Sequence, residues 1–250
     1  MKALIDHYHN QGFTTLKSVL SAETCQSLND ELSKRSDDPF FERTGFGLLG
    51  QNAWREIPIF QEILSKNKLY HYAAQLLQTK EVLLFQDLII WKPPHSKRQV
   101  EWHQDYSYWP LHQPKGVTLW IALDDSTVDN GTLRYIPGSH NWGECQPTVY
   151  TLDDSFQEEN SLPALPIQKH EKEGTYINCE QGSAIAHHPL CCHMSPVNNS
   201  SVDRRAWSLT FLDPSVRWDP QHAPHPLNYQ LNLAPHSLLN NGQFPIFSID

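Results

Sequence analysis

The sequence predicts a mostly β protein: a double-stranded β-helix, or jelly-roll, core flanked by N-terminal helices. Two observations carry that expectation. From Glu81 onward, short runs of apolar and β-branched residues recur, each ended by turn residues, and many short strands separated by turns describe a sandwich or barrel. Before Glu81 the apolar residues fall three and four apart, as on helices. A chain of 250 residues with 39% hydrophobic and 19% charged content can bury a full core and lacks the composition of a disordered one. We expect one domain over 1–250, divided into a helical flank (1–80), the jelly-roll core (81–212) and a tail (213–250).

Ser21 is a good N-cap for a helix running to about Ser33, with Glu23 in its first turn and Leu28 and Leu32 on one face. A second helical region covers Ile59 to Leu77, where Leu69, Tyr72, Ala73, Leu76 and Leu77 keep a helical period. Between them, Asp37 to Pro58 reads as a long irregular loop and therefore as a candidate lid. Strands are expected at Val82–Phe85, Leu88–Trp91, Val117–Leu123, Thr132–Ile136, Thr175–Cys179, Ser183–His187, Leu190–Ser195 and Ala206–Leu212. Pro93-Pro94 ends the second of these and Asn130-Gly131 opens the fourth. Trp142 to Lys172 has little periodicity and reads as an insertion over one mouth of the barrel. The tail, rich in Pro, His and Asn, either wraps the barrel or reaches a second subunit. No internal repeat is present.

Lys plus Arg number 19 and Asp plus Glu 28, a net charge of −9. An acidic chain without a basic stripe argues against nucleic-acid and anionic membrane partners and gives no support to a highly phosphorylated acyl-CoA substrate. A small, fairly apolar or zwitterionic molecule fits better, such as one modified in secondary metabolism. No apolar run reaches the ~20 residues of a membrane span, and the start, Met1-Lys2-Ala3-Leu4-Ile5-Asp6, turns polar too soon for a signal peptide. Five cysteines without paired spacing (Cys25, Cys145, Cys179, Cys191, Cys192) read as free thiols of a cytoplasmic protein. Nothing in the sequence fixes an oligomeric state.

The chemistry concentrates in Trp102-His103-Gln104-Asp105. Alternate residues of a strand share a face, so His103 and Asp105 would present an imidazole and a carboxylate side by side. A second imidazole from a distant strand completes two histidines and one carboxylate on one face of a metal, the open-sided set of a non-heme Fe(II) oxygenase. His187, His188 and His193 are all available for that place. Arg204 or Arg205 offers a cationic fork for the far carboxylate of an iron-chelating oxo-acid; being adjacent, only one of them faces inward. His-x-Asp alone is weak evidence, and its flanks strengthen it.

Those flanks resemble the phytanoyl-CoA dioxygenase (PhyH) family of Fe(II)- and 2-oxoglutarate-dependent oxygenases. The resemblance runs through Trp91-Lys92-Pro93-Pro94, His103-Gln104-Asp105-Tyr106, Tyr108-Trp109-Pro110, Trp120-Ile121-Ala122-Leu123, Asn130-Gly131, Pro137-Gly138-Ser139-His140, His188-Pro189-Leu190, His193, Ser195, Asn198 and Arg204-Arg205-Ala206. Gln11-Gly12-Phe13 and Leu20-Ser21-Ala22-Glu23 are similar to the family's opening strand and helix. The match is dense from Lys92 to Phe211 and thin elsewhere.

It implies the cupin-like jelly roll, with Fe(II) held by His103, Asp105 and His193. His188 is then an outer or packing residue and His187 a core one. The family's spacing picks Arg204 for 2-oxoglutarate, with Ser195 as a second donor to the same carboxylate and Trp120 and Lys92 near the cosubstrate. Phe46, Tyr106, Tyr108 and Trp109 are the expected pocket walls. The implied reaction consumes O₂ and 2-oxoglutarate, releases succinate and CO₂, and hydroxylates, desaturates or cyclises at a C–H bond of a small metabolite. The alternative is a catalytically silent metal- and 2-oxoglutarate-binding jelly roll. Related halogenases lack a carboxylate at the position of Asp105, so its presence disfavours halogenation. Gly182-Ser183 departs from the Gly-Asp common in the family ahead of the distal histidine.

Overall fold

Strands β4 (Glu81–Lys92), β6 (Gly116–Ala122) and β11 (Arg204–Leu212) form the centre of the molecule. In the computed structural model, which describes residues 1–148, 162–240 and 242–249, they belong to an antiparallel sheet of eight strands. Its order runs from β1 (Phe13–Leu16) and β9 (Ala184–His187) through β6, β11 and β4 to β3 (Gly47–Gln51) and β2 (Phe41–Thr44). A tail strand, β12 (Ile246–Ser248), also pairs with β4. A second sheet has the order β5 (Val100–His103), β10 (His193–Ser195), β7 (Arg134–Tyr135) and β8 (Thr175–Tyr176). This is the expected mostly β jelly roll.

Both faces of the central strands are covered, which is why their sequences read as unbroken apolar runs. On the outer face Val82, Leu84, Ile89, Leu119, Ile121, Trp207, Leu209 and Phe211 pack against Leu28, Leu32, Phe60, Leu64 and Leu76. These last belong to helices α2 (Ala22–Lys34), α4 (Pro58–Lys66) and α5 (Leu69–Leu77). Each fully buried aliphatic side chain contributes ~1.5–3 kcal/mol. Ser21 caps α2 as expected, its Oγ accepting the Thr24 N–H at 3.1 Å. The inner face carries Gln86, Leu88, Ile90, Trp120, Arg204, Ser208 and Thr210, which line a cavity.

Several expectations need correction. The 37–58 stretch is not a loose lid: β2 and β3 form a hairpin that extends the large sheet, followed by the short helix α3 (Ala53–Glu56). Alternation in Leu48-Leu49-Gly50-Gln51 is hidden by glycines at 47 and 50. The helical region 59–77 is two helices, because Lys68 takes a left-handed φ of 49° at the joint. An N-terminal helix, α1 (Lys2–Gln11), was not legible, its polar residues dominating its one buried side chain, Tyr8. Gly12 ends it at φ 82°, where a Cβ would lie 2.5 Å from the His140 Nδ1. The stretches 82–85 and 88–91 are one strand. Part of the 142–172 insertion, residues 149–161, lies outside the described residues. The tail folds back on its own barrel end, with Val216, Trp218, Leu239 and Phe244 packed on Leu83, Phe85, Trp109 and Leu212.

On the outer face of β4, Asp87 is fully buried and accepts hydrogen bonds from Trp207 Nε1 (2.8 Å) and the Trp54 N–H (3.0 Å). Burial pushes its carboxyl up from 3.8 to about 7, against the pull of those bonds and of Arg55. The unfolded carboxyl ionises first, so this group's contribution to stability falls as pH rises from 3.8 to about 7. Asp87→Asn keeps an acceptor without the charge. It is expected to be more stable than the parent at pH 8 by on the order of 2 kcal/mol, with the difference shrinking toward pH 4. Urea unfolding across that range checks this, and a pH-independent difference would refute it.

Candidate metal centre

β10 runs between β5 and β7 so that His193 lies directly across from His103, its cross-strand partner. The two imidazole centroids are 4.2 Å apart. Gln104 continues the extended backbone past β5 (φ −113°, ψ 133°), so Asp105 turns to the same side as His103. The sequence reading puts Asp105 on the strand with His103; instead it lies just past β5 and opens the 3₁₀ turn Asp105–Tyr108. Gln104 fixes that turn: its amide donates to Gly143 O and Leu190 O (2.9 Å each) and accepts from the Cys145 N–H (2.8 Å).

His103 Nε2 and His193 Nε2 lie 3.5 and 3.7 Å from Asp105 Oδ1. One donor atom from each of the three residues lies within 4.8 Å of the others, and no other His/Cys/Asp/Glu group among the described residues meets that test. Donors bonded to one cation at ~2.1 Å and at right angles stand ~3 Å apart, so Asp105 Oδ1 and each imidazole nitrogen would have to approach by roughly half an ångström or slightly more. The tautomers agree. His103 Nδ1 bonds to Glu101 O (2.8 Å) and His193 Nδ1 to Cys191 O (2.9 Å), so each proton sits on Nδ1 and each Nε2 lone pair faces inward. Burial and the neighbouring His103 hold His193 well below the usual imidazole range, which keeps it neutral. Burial opposes the charge of Asp105, but the neighbouring imidazoles, His193 first and then His103 and His187, prevail and hold its carboxyl well below the usual range. The set is therefore two imidazole nitrogens and an anion on one side, with room opposite: the donor set of a non-heme Fe(II) site.

His187 is a correction. The sequence reading places it in the core, but its Nε2 lies 3.0 Å from Asp105 Oδ2 and its Nδ1 2.8 Å from the Tyr135 hydroxyl. Thr118 Oγ1 donates to the same Oδ2 at 3.2 Å, leaving Oδ1 for a cation. The missing signal was register: Thr118 pairs with His187 across β6 and β9, which puts both on the inner face. His188 is a packing residue whose Nδ1 accepts the Leu190 N–H at 3.1 Å; burial lowers it to about 4.

Arg204 and Trp120 line the same cavity, of about 120 Å³. Arg204 is 1% exposed, its guanidinium 5.2 Å from the Trp120 ring centre. Burial lowers it to about 9, so it stays cationic at neutral pH. Only its Nη2 is engaged, by Ser195 Oγ at 3.3 Å; Nε, Nη1 and Trp120 Nε1 are buried donors without partners among the described residues. Buried donors are nearly always satisfied, so these point to an anion beside them. Arg205 faces out, paired with Asp124 at 2.8 Å.

Ser195 lines the cavity too, whereas Lys92, Phe46, Tyr106, Tyr108 and Trp109 are not among its lining residues. Ser195 does not hold its proton for an oxo-acid: its hydroxyl donates to Gly131 O at 2.7 Å and serves as an acceptor for Arg204. Lys92 is fully buried, neither exposed nor at the cavity, and its Nζ donates to Ser195 O (3.0 Å) and Pro196 O. Tyr106 and Trp109 belong to the barrel-end core, the Tyr106 hydroxyl donating to Leu111 O at 2.8 Å. Phe46 is half-buried in the turn between β2 and β3, off the cavity lining. Of the four aromatic residues, Tyr108 is nearest the metal centre, its ring 6.2 Å from that of His103 and its hydroxyl bonded to Thr148 O. The walls are instead aliphatic, with Leu88, Ile90, Val100, Leu133 and Met194, which carry no motif.

Jelly roll, donor set and unpaired arginine together define the class of Fe(II)- and 2-oxoglutarate-dependent oxygenases. The chain belongs to the phytanoyl-CoA dioxygenase (PhyH) family, whose model matches residues 8–206. It is 28% identical over 230 residues to a phytanoyl-CoA dioxygenase of Arabidopsis thaliana, covering 85% of this chain and 79% of that one. It is 30% identical over 171 residues to phytanoyl-CoA dioxygenase domain-containing protein 1 of Bos taurus, covering 66% of this chain but 57% of that protein. Among solved structures, the fold is similar to the non-heme alpha-ketoglutarate-dependent carbocyclase SnoK of nogalamycin biosynthesis (TM-score 0.81, 20% identity, 99% and 96% of the two chains). It is also similar to the epimerase SnoN in complex with Fe³⁺, alpha-ketoglutarate and nogalamycin RO (TM-score 0.78, 18% identity, 98% and 97% of the two chains).

His187→Phe fills the same space without either hydrogen bond, so Asp105 loses its outer support. Affinity for Mn(II), measured by calorimetry, is expected to fall ~10–100-fold. Unchanged affinity would make His187 a packing residue after all.

Proposed function

We propose that the chain is a hydroxylase of small-molecule C–H bonds, with His103, Asp105 and His193 holding Fe(II) and Arg204 holding the distal carboxylate of 2-oxoglutarate. The observation that carries this reading is the pairing of an open-sided metal set with a buried arginine that has no carboxylate partner among the described residues. When bound, Fe(II) and 2-oxoglutarate supply the O₂-dependent chemistry: release of succinate and CO₂ coupled to oxidation of a substrate C–H bond.

The residues around them bind, orient and exclude water. His187 and Thr118 fix one oxygen of Asp105, so the carboxylate meets the metal through the other. Ser195 aims Arg204 across the face of Trp120. Leu88, Ile90, Val100 and Leu133 keep the cavity apolar, which strengthens each polar contact within it. Of the residues lining it, Arg204 alone is a fixed cation, which favours a compact metabolite over an acyl-CoA with its several phosphates. In this reading the helical flank, core and tail work as one oxygenase domain over 1–250. The reading also places the protein in the cytoplasm, supported by five buried free cysteines. Among the described residues no helix is long and apolar enough to cross a membrane.

Anaerobic protein given Fe(II) and 2-oxoglutarate is expected to develop a visible metal-to-ligand charge-transfer band. His103→Ala should lose the band and succinate formation together. Arg204→Met should keep iron but weaken 2-oxoglutarate by ~2–5 kcal/mol, at least 30-fold. Iron binding without a band in the parent protein would sink the cosubstrate assignment.

A further inference from the structure

The wall of the large sheet is interrupted on one side of the metal cavity. β3 and β12 pair with the same edge of β4, β3 along Leu88–Trp91 and β12 along Glu81–Leu83. Two backbone bonds close the ends of the interval, Asn52 N–H to Asp87 O (3.1 Å) and Leu84 N–H to Pro245 O (2.9 Å). Between them, no described strand pairs with Phe85 or Gln86 on that edge. On the opposite edge, Gln86 pairs with Thr210 and Leu84 with Phe211, so Phe85 is an extra residue, a β-bulge. Alternation restarts there, and Phe85 and Gln86 both turn toward the barrel side.

A second cavity, of about 230 Å³, opens at this gap. The hairpin end and α3 supply Gln51, Asn52 and Arg55 to its wall, and the tail supplies His225, Leu227 and Gln243. Gln86 and Leu88 line both this cavity and the one holding the metal centre, so the two meet over those side chains. Neither alone reaches the ~300 Å³ at which ligand sites begin; joined, they do.

Arg55 is the one fixed cation among the lining residues. Its guanidinium stacks 4.3 Å from the Trp54 ring centre and donates to the Gln243 carbonyl, which fixes it in the wall. Among the described residues it forms no ion pair, and the nearby Asp87 carboxyl is turned to Trp207 and Trp54. We infer, building on the oxygenase reading above, that this second cavity recognises the substrate and that the substrate is a small organic acid. Its carboxylate sits on Arg55, its body runs along the Gln51 and Gln86 amides, and its reacting carbon passes Leu88 into the metal cavity.

The test is a panel of small monocarboxylic acids, each beside its methyl ester, titrated by calorimetry into anaerobic protein loaded with Fe(II) and 2-oxoglutarate. At least one acid is expected to bind and shift the charge-transfer band, its ester at least tenfold more weakly. Arg55→Gln should bring the acid down to the affinity of its ester while the band before addition and the affinity for 2-oxoglutarate stay as in the parent. Leu227→Trp fills the cavity from the tail and should abolish acid binding with the band again retained, which separates loss of the site from loss of the fold. An acid that binds no better than its ester, an acid indifferent to Arg55→Gln, or a panel in which no acid binds overturns the inference. Absence of the band in the parent protein would defeat the oxygenase reading first, and the two failures are thereby told apart.

Discussion

The candidate chemistry depends on one strand pairing, that of β10 with β5. Both strands are short, and His193 is set opposite His103 by a ladder of few bonds, with a register shift between His193 and Ser195. A slip of one residue would put the Met194 thioether opposite His103 and carry Ser195 away from Arg204. The surroundings hold the pairing. Gln104 bonds two other chain segments just beyond β5, and Ser139 Oγ accepts the Cys192 N–H just before β10. Tyr135, on the other side of β10, stacks against His193 with ring centres 5.4 Å apart. A metal centre on such short strands is therefore positioned by side-chain bonds to loops as much as by the sheet.

Charge is then distributed by burial. Arg204 and Lys92 pair across β11 and β4, two basic side chains that are both fully buried. Burial first, and the field of Arg204 second, bring Lys92 down to about 6, so at neutral pH its amine is largely uncharged and bonded to two carbonyls. The guanidinium keeps its proton because its intrinsic affinity is so much higher. The result is a single positive charge against the Trp120 ring, with two of its donor atoms unbonded among the described residues. An anion placed there meets little competition from solvent, and a cosubstrate carboxylate is the anion the class supplies.

The sequence made legible what local periodicity and composition encode. The central strands, the capped helix α2 and the His103/Asp105 pair all rest on spacing within a few residues. What it hid were relations between distant segments. His187 looked like core because its inward direction follows from pairing with Thr118, not from its neighbours in the chain. Lys92 looked like a cosubstrate contact because the motif gives its position but not the carbonyls that take its amine. Tyr106 and Trp109 were drawn toward the pocket by their nearness to Asp105, yet the 3₁₀ turn sends them to the barrel end. The hairpin of β2 and β3 escaped notice because glycines at 47 and 50 erase the alternation that marks a strand.

β4 shows how the two cavities become separable. Its outer face is tied to the helices, with Asp87 bonded to Trp207 and Trp54. Its inner face carries Lys92, Ile90 and Leu88 toward Arg204 and the metal centre. The bulge at Phe85 interrupts this alternation, and the same stretch of edge is left bare by β3 and β12. The donor set stands on the small sheet, whereas the gap is bordered by a hairpin and a tail at the edge of the large one. Changes in hairpin or tail residues therefore reshape what enters without moving His103, Asp105 or His193. A fold arranged in this way can keep its oxidative chemistry constant while its substrate changes, because the two are fixed by different strands.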